Sequence, residues 1–156
     1  NSKYIKEIVH IDNKKIEVTP TSQLNFEETY YQREPNIIDE VELKDMIDIP
    51  FGKIYGTRSG DKGGCANLGV WAKNSKAYSY LYKYLTNEKL KELLPDLAEY
   101  KIDRYELNNI NALNFYIHGI LEDGISSNNR KDGQAKSLGE YLRAKLISVP
   151  SSIMEN

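Results

Sequence analysis

The chain has 156 residues, 28% of them charged, and a formal net charge of −2. That near balance argues against a nucleic-acid module, which needs a clear cationic excess to neutralise phosphates. One cysteine excludes an internal disulfide and a cysteine-based zinc site, and the lack of any signal-peptide pattern or long apolar run leads us to expect a soluble cytoplasmic protein with no membrane contact.

Residues 5–11 and 15–18 read as a hairpin around Asp12-Asn13-Lys14, where Asp and Asn tolerate left-handed turn geometry. His10, one of two histidines, lies in this hairpin with no second ligand or base near it in sequence, so it reads as an ordinary strand residue. Residues 19–48 differ in character. Pro20, Pro35, Tyr30-Tyr31 and the acidic run Asp39-Glu40-Val41-Glu42 suit a linker or wrapping arm, with one short helical turn near Ile38, Val41 and Asp45. Leu24, Phe26, Tyr30 and Tyr31 equip that arm to pack on a partner or on its own domain. The expected division is therefore an arm over 1–48, a compact domain over 49–150 and a tail over 151–156.

Within the compact part, residues 51–58 and 66–72 read as strands joined by a glycine-rich loop. Asn74 or Ser75 caps a helix carrying Ala77, Tyr78, Leu81, Tyr82 and Leu85 on one side. Thr86 caps a second, shorter helix that turns Leu90, Leu93 and Leu94 inward before Pro95. Residues 101–107 alternate like a half-solvated strand, and 112–121 form a more deeply buried strand or, at that length, a helix. After the Asp123-Gly124 turn, Asp132 caps a final helix with Ala135, Leu138, Tyr141, Leu142 and Leu146 on one side, closed by Pro150. Gly139 inside that helix costs about 1 kcal/mol relative to alanine, which points to a close helix–sheet contact. Strand, strand, helix, strand, strand, helix is an α+β order. Its economical solution is a ferredoxin-like sandwich: a four-stranded, mainly antiparallel sheet with its helices on one face.

The stretch 56–72 gathers five glycines, Arg58, Lys62, Asp61, Asn67 and the only tryptophan. It is no Walker loop, because Lys62 precedes glycine rather than Ser or Thr, and no dinucleotide fingerprint, because a strand follows rather than a helix. Main-chain amides around Gly60, Gly63 and Gly64, with Arg58 and Lys62 supplying charge, suit an anion such as a carboxylate, a phosphate or the phosphate end of coenzyme A. The competing reading is a tight connection whose Asp61 bonds its own turn. The candidate ligand-binding set is Arg58, Ser59, Gly60, Asp61, Lys62, Gly63, Gly64, Asn67 and Asn114. Asn114 and His118 share a face in either a strand or a helix. They are either satisfied core polar groups or a functional pair, with His118 as the catalytic acid or base and Asn114 orienting a carbonyl. Cys65 beside Lys62 is a weaker candidate nucleophile, and Arg130 and Lys131 read as solvated turn residues that could complete an anion site. No spacing of Glu, Asp or His supports a metal, and no cofactor is called for.

The run Arg58-Ser59-Gly60-Asp61-Lys62-Gly63-Gly64, then Ala66-Asn67 and Gly69-Val70-Trp71-Ala72, resembles the signature of the C-terminal domain of AtuA-like (acyclic terpene utilisation) proteins. Matches continue through Leu90, Leu93-Leu94-Pro95, Arg104-Tyr105-Glu106-Leu107, Ala112-Leu113-Asn114-Phe115, Ile117-His118-Gly119 and 134–142. The resemblance implies a ferredoxin-like domain that follows a larger domain in proteins linked to breakdown of branched or terpenoid acyl-CoA compounds. Two departures stand out: the larger domain is missing, and Cys65 occupies a position where Asp or Asn is expected. A separated fragment or a subunit that must find a larger partner would explain the first. The expected roles are an accessory domain or subunit that binds an anion such as an acyl-CoA at the glycine loop, or a non-catalytic module that drives homo- or hetero-oligomerisation. A self-sufficient enzyme is the weakest reading, for want of a complete acid–base–nucleophile set.

Overall fold

Side chains in a strand alternate between two faces, and that period of two organises this chain. In a computed structural model the described residues are 7–18 and 38–154. The chain divides into two units, Asn1–Gln32 and Arg33–Asn156, each described by itself.

In the first unit β1 (Glu7–Ile11) and β2 (Lys14–Val18) pair antiparallel, with His10 opposite Lys15. Asp12 and Asn13 turn the chain at φ 45 and 62, the left-handed region expected of them. His10 is exposed and takes part in an ordinary cross-strand pair. Leu24, Phe26, Tyr30 and Tyr31 lie outside the described residues.

The second unit opens with β3 (Met46–Pro50), then β4 (Tyr55–Lys62) and β5 (Cys65–Ala72). Helices α1 (Ser75–Tyr84) and α2 (Asn87–Leu93) lead to β6 (Ile102–Leu107) and β7 (Ala112–Ile117), and α3 (Leu138–Arg143) and β8 (Leu146–Pro150) close it. Four strands form one antiparallel sheet in the order β4-β5-β7-β6. This is the ferredoxin-like α+β arrangement expected from the element order.

One face of the sheet carries Tyr55, Thr57, Ala66, Leu68, Val70, Leu113, Phe115, Ile117 and Ile102, all buried. Helix α1 contributes Ala77, Tyr78 and Leu81 to the same core, and Leu85, Leu90, Leu94 and Leu97 extend it. Asn74 starts α1 by accepting from the Ala77 amide at 2.8 Å, and Thr86 starts α2 by accepting from the Lys89 amide at 3.1 Å. One polar cluster on the helix-covered face is tied down, although among the described residues Thr57 Oγ1 on the same face is buried without a hydrogen-bond partner. Arg104 bonds Glu106 at 2.6 Å, donates to the Tyr82 carbonyl at 2.7 Å and lies 4.9 Å from the Tyr82 ring centroid. The Tyr82 hydroxyl donates to Glu106 at 3.0 Å, so the cluster fastens α1 to the β6 edge.

Several elements depart from the pattern read in the sequence. The anticipated glycine-rich loop is strand almost throughout: β4 and β5 pair as far as Lys62↔Cys65, and only Gly63 and Gly64 turn, Gly63 at φ 64. The strand expected over 51–58 begins later, because Phe51–Lys53 form a 3-10 turn that buries Phe51. The run 112–121 is a strand that ends at Ile117; Gly119 (φ 68) and Glu122 (φ 52) turn the chain, and Ile120 and Leu121 are buried in that turn. The long final helix is only Leu138–Arg143. Ala135 sits at φ 52, Asp132 accepts from the Lys136 and Ser137 amides at 2.9 Å as a loop brace, and Ile147 and Val149 alternate inward in β8. Strand β8 pairs with β3, Ile47 opposite Val149, a long-range partnership that local pattern does not reveal. No regular element covers 38–44, although Ile38 and Val41 pack on the core.

Gly139 and Gly64 are among the glycines required by close approach. A Cβ on Gly139 would stand 2.8 Å from Thr57 Oγ1, so α3 lies against β4 as its glycine implied, and a Cβ on Gly64 would overlap the Glu122 carbonyl. Above Gly60 no described residue comes within 4 Å. Gly64→Ala and Gly139→Ala should each lower stability by about 1–3 kcal/mol through overpacking. Gly60→Ala should leave it level or raise it by up to about 1 kcal/mol, since the unfolded chain loses freedom. Urea unfolding of the intact chain measures all three, and the reverse ranking would contradict this packing.

Candidate functional site

The helices cover one face of the sheet, and the chemistry-bearing residues stand on the other. The strand registers lay that open face out in rows. Arg58 pairs with Gly69, which pairs with Asn114, which pairs with Tyr105; one row along come Gly60, Asn67, Tyr116 and Asp103. Gly56, Trp71, Ala112 and Leu107 make the row on the other side. Beyond Asp103's row lie Lys62 and Cys65, and His118 follows Tyr116 at the turn.

The floor of this face is glycine. Among the described residues Gly60 has open space above it, and a Cβ on Gly69 would meet only ordinary contacts, 3.6 Å from the Arg58 carbonyl and 4.0 Å from Asn114 Oδ1. Neither glycine has a positive φ. Backbone geometry and internal packing therefore leave both positions free to carry a side chain, and bare backbone in a strand is where an outside group approaches closely. Gly56 differs: a Cβ there would overlap the Trp71 indole, so the ring lies against β4 while remaining 42% exposed.

Around the floor stand the polar groups. Among the described residues Arg58, which is exposed, has no carboxylate partner, and Lys62 donates only to the Asp61 carbonyl, at 2.9 Å. Asn67 Nδ2 donates to Asn114 Oδ1 at 3.3 Å, which leaves the other half of each amide facing outward from the pair. At the turn end His118 Nε2 and Asp103 Oδ2 are 2.7 Å apart, each side chain about one-third exposed (37% and 33%). The His118 bond, assisted by Lys101 3.5 Å away, holds the Asp103 carboxyl below its ordinary range. An ionised carboxylate only accepts, so Nε2 carries the proton of this bond, and in the neutral ring Nδ1 is the acceptor. Tyr116 meets the His118 ring edge-on at 4.9 Å, and a hydrogen bond with Cys65 raises its phenol above the usual range. Cys65 Sγ also accepts from the Gly119 amide at 3.4 Å.

The structure thus separates residues that neighbour one another in sequence. Arg58, Gly60, Lys62, Asn67, Asn114 and His118 come together on the open face. Ser59 and Asp61 point to the helix side, where Ser59 Oγ accepts from the Gly139 amide at 2.9 Å and donates to the Lys136 carbonyl at 3.2 Å. Gly63 and Gly64 make the turn, and the Gly64 carbonyl accepts from the Leu121 amide at 2.9 Å. A nest of successive amides spanning Gly60, Gly63 and Gly64 is not formed, because Gly60 lies in the ladder opposite Asn67. Asn114 and His118 are half-buried residues of the open face and not core groups. Asp103, Tyr116 and Trp71 join the face without having been singled out as site residues, and strand parity was the signal that could have found them. Arg130 and Lys131 line a separate cavity of about 330 Å³ with Asp96 and Tyr141. Among the described residues no cluster of three or more His, Cys, Asp or Glu stands ready for a metal, and no helix is long and apolar enough to cross a membrane.

The Asp103–His118 bond has a testable pH signature. Because the carboxyl titrates below its ordinary value in the fold, its contribution is fully present above the ordinary aspartate pKa of about 3.9 and fades as pH falls through the depressed value. Asp103→Asn should therefore be less stable than the parent chain at neutral pH, with the gap closing in acid. Urea midpoints measured across the acid range check it, and a gap that widens on acidification would contradict the pairing.

Neither the curated proteins nor the solved structures yield a match to the chain. The AtuA ferredoxin-like domain matches residues 49–148, which takes in the whole four-stranded sheet, its helices and both rims of the open face. With well over half of its 156 residues so matched, the chain belongs to the AtuA ferredoxin-like domain family.

Proposed function

We propose that this is an accessory domain or subunit of an acyl-CoA or terpenoid catabolic protein, and that its open sheet face holds an anionic group, a carboxylate or a coenzyme A phosphate. The observation that carries this reading is the placement of Arg58 and Lys62 on either side of Gly60, with no acid paired to either among the described residues and open space above the glycine. Both cations have long side chains on one strand face, and a bound anion gains charge-assisted hydrogen bonds from them. Asn67 and Asn114, tied to each other, present the amide groups that fix the ligand's orientation.

A flat sheet surface covers one side of a small ligand, whereas small-molecule sites enclose most of it. The other wall is therefore assigned to a larger AtuA-like domain or subunit, or to a second chain in an oligomer. His118, its tautomer set by Asp103, is the proton carrier in this reading. A second reading rests on Trp71, Tyr105 and Leu107, which are 42%, 52% and 40% exposed on the same face: a purely docking surface with no ligand of its own.

Calorimetric titration of the intact chain with inorganic pyrophosphate and with a short-chain carboxylate separates the two. Arg58→Ala and Lys62→Ala should each weaken binding of the anion about tenfold or more, the scale of a lost charge-assisted hydrogen bond, without moving the unfolding midpoint. Affinity that the substitutions leave unchanged, or no affinity in the parent chain, would favour the docking surface.

A further inference from the structure

We infer that the anion held on the open face is the phosphate of a nucleotide moiety, whose planar base stacks on Trp71. The inference rests on the anion-site reading above and adds the identity of the group attached to the anion. Three observations lead to it.

The first is the state of Trp71. The indole lies over the bare backbone of Gly56, and its 42% exposure leaves ring surface uncovered. A rigid exposed aromatic ring is a stacking platform, since any planar heterocycle offers a π-face to it. The second is room. A cleft of about 290 Å³ adjoins the indole at the β4 edge, lined also by Gly52, Gly56, Lys73 and Arg143.

The third is spacing. Trp71 lies opposite Gly56, and Arg58 is the next residue of β4 on the same face. Same-face neighbours on a strand are about 7 Å apart, which is the span from the base of a nucleotide to its first phosphate. From Arg58 the strand continues over bare Gly60 to Lys62, whose backbone lies about 13 Å further on and whose long side chain supplies charge for a second phosphate on the near side. The cations, the open floor and the aromatic ring therefore lie along one path in the order base, first phosphate, second phosphate. A simple carboxylate would use Arg58 and leave the Trp71 platform idle.

The single tryptophan makes the test direct, because all indole fluorescence reports on this position. The intact chain is titrated with adenosine 3′,5′-bisphosphate and, separately, with inorganic pyrophosphate, following Trp71 emission and heat release. The expected result is quenching by the bisphosphate alone and at least tenfold tighter binding than pyrophosphate. Trp71→Leu, read by calorimetry, should erase that advantage while keeping the pyrophosphate affinity; Trp71→Phe should keep part of it. Gly60→Val should weaken both ligands about tenfold, and the unfolding midpoint of each variant shows that the fold is intact. Equal affinity for the two ligands overturns the stacking inference and leaves the anion site standing. No affinity for either removes both. Tighter binding of a single-stranded oligonucleotide than of the bisphosphate would overturn the inference in favour of a nucleic-acid surface.

Discussion

The two-residue turn at Gly63–Gly64 sets the register on which the rest of this domain depends. Pairing Lys62 with Cys65 places Arg58, Gly60 and Lys62 on one face of the sheet and Thr57, Ser59 and Asp61 on the other. A slip of one residue would reverse every one of these assignments. The turn is held from outside the hairpin: the Gly64 carbonyl accepts from the Leu121 amide, and its Cα lies so close to the Glu122 carbonyl that no side chain fits. The buried face adds its own restraint, because Leu68, Val70, Phe115 and Ile117 satisfy the core only in this register.

That parity divides the labour of a single short sequence. Ser59 fastens the 136–139 segment to β4, with its hydroxyl between the Lys136 carbonyl and the Gly139 amide. Arg104 and Glu106 are spent on holding α1 at the β6 edge. Their immediate neighbours Arg58, Gly60, Asp103 and Tyr105 are turned to the open face. Residues adjacent in the chain thus serve stability and recognition in alternation, and a strand needs no special geometry to achieve it.

The open face is graded along its length. One end has Trp71, Ala112 and Leu107; the other has Lys62, Cys65 and the Asp103–His118 pair. Between them the glycine floor and the Asn67–Asn114 amides form a polar strip with little side-chain relief. An aromatic shelf, a cationic line and a fixed imidazole on one rigid sheet are preorganised, which lowers the ordering cost of any ligand that fits them.

Much of this was legible from residue order. The hairpin at Asp12-Asn13, the caps Asn74 and Thr86, the apolar stripe of α1, the close approach at Gly139 and the α+β order all follow from local rules of turn geometry, capping and periodicity. Those rules act over a few residues, so a linear reading can apply them. Other features needed distant partners. β8 is a strand because β3 lies beside it, and the glycine-rich stretch is a ladder because β5 and the 119–122 turn hold it straight. The sequence alone determined which residues are unusual: Arg58, Lys62, the clustered glycines, Asn114 and His118. Only the tertiary structure decided which of them share a surface, since pairing of strands far apart in the chain brought Asp103 to His118 and sent Ser59 and Asp61 to the opposite side.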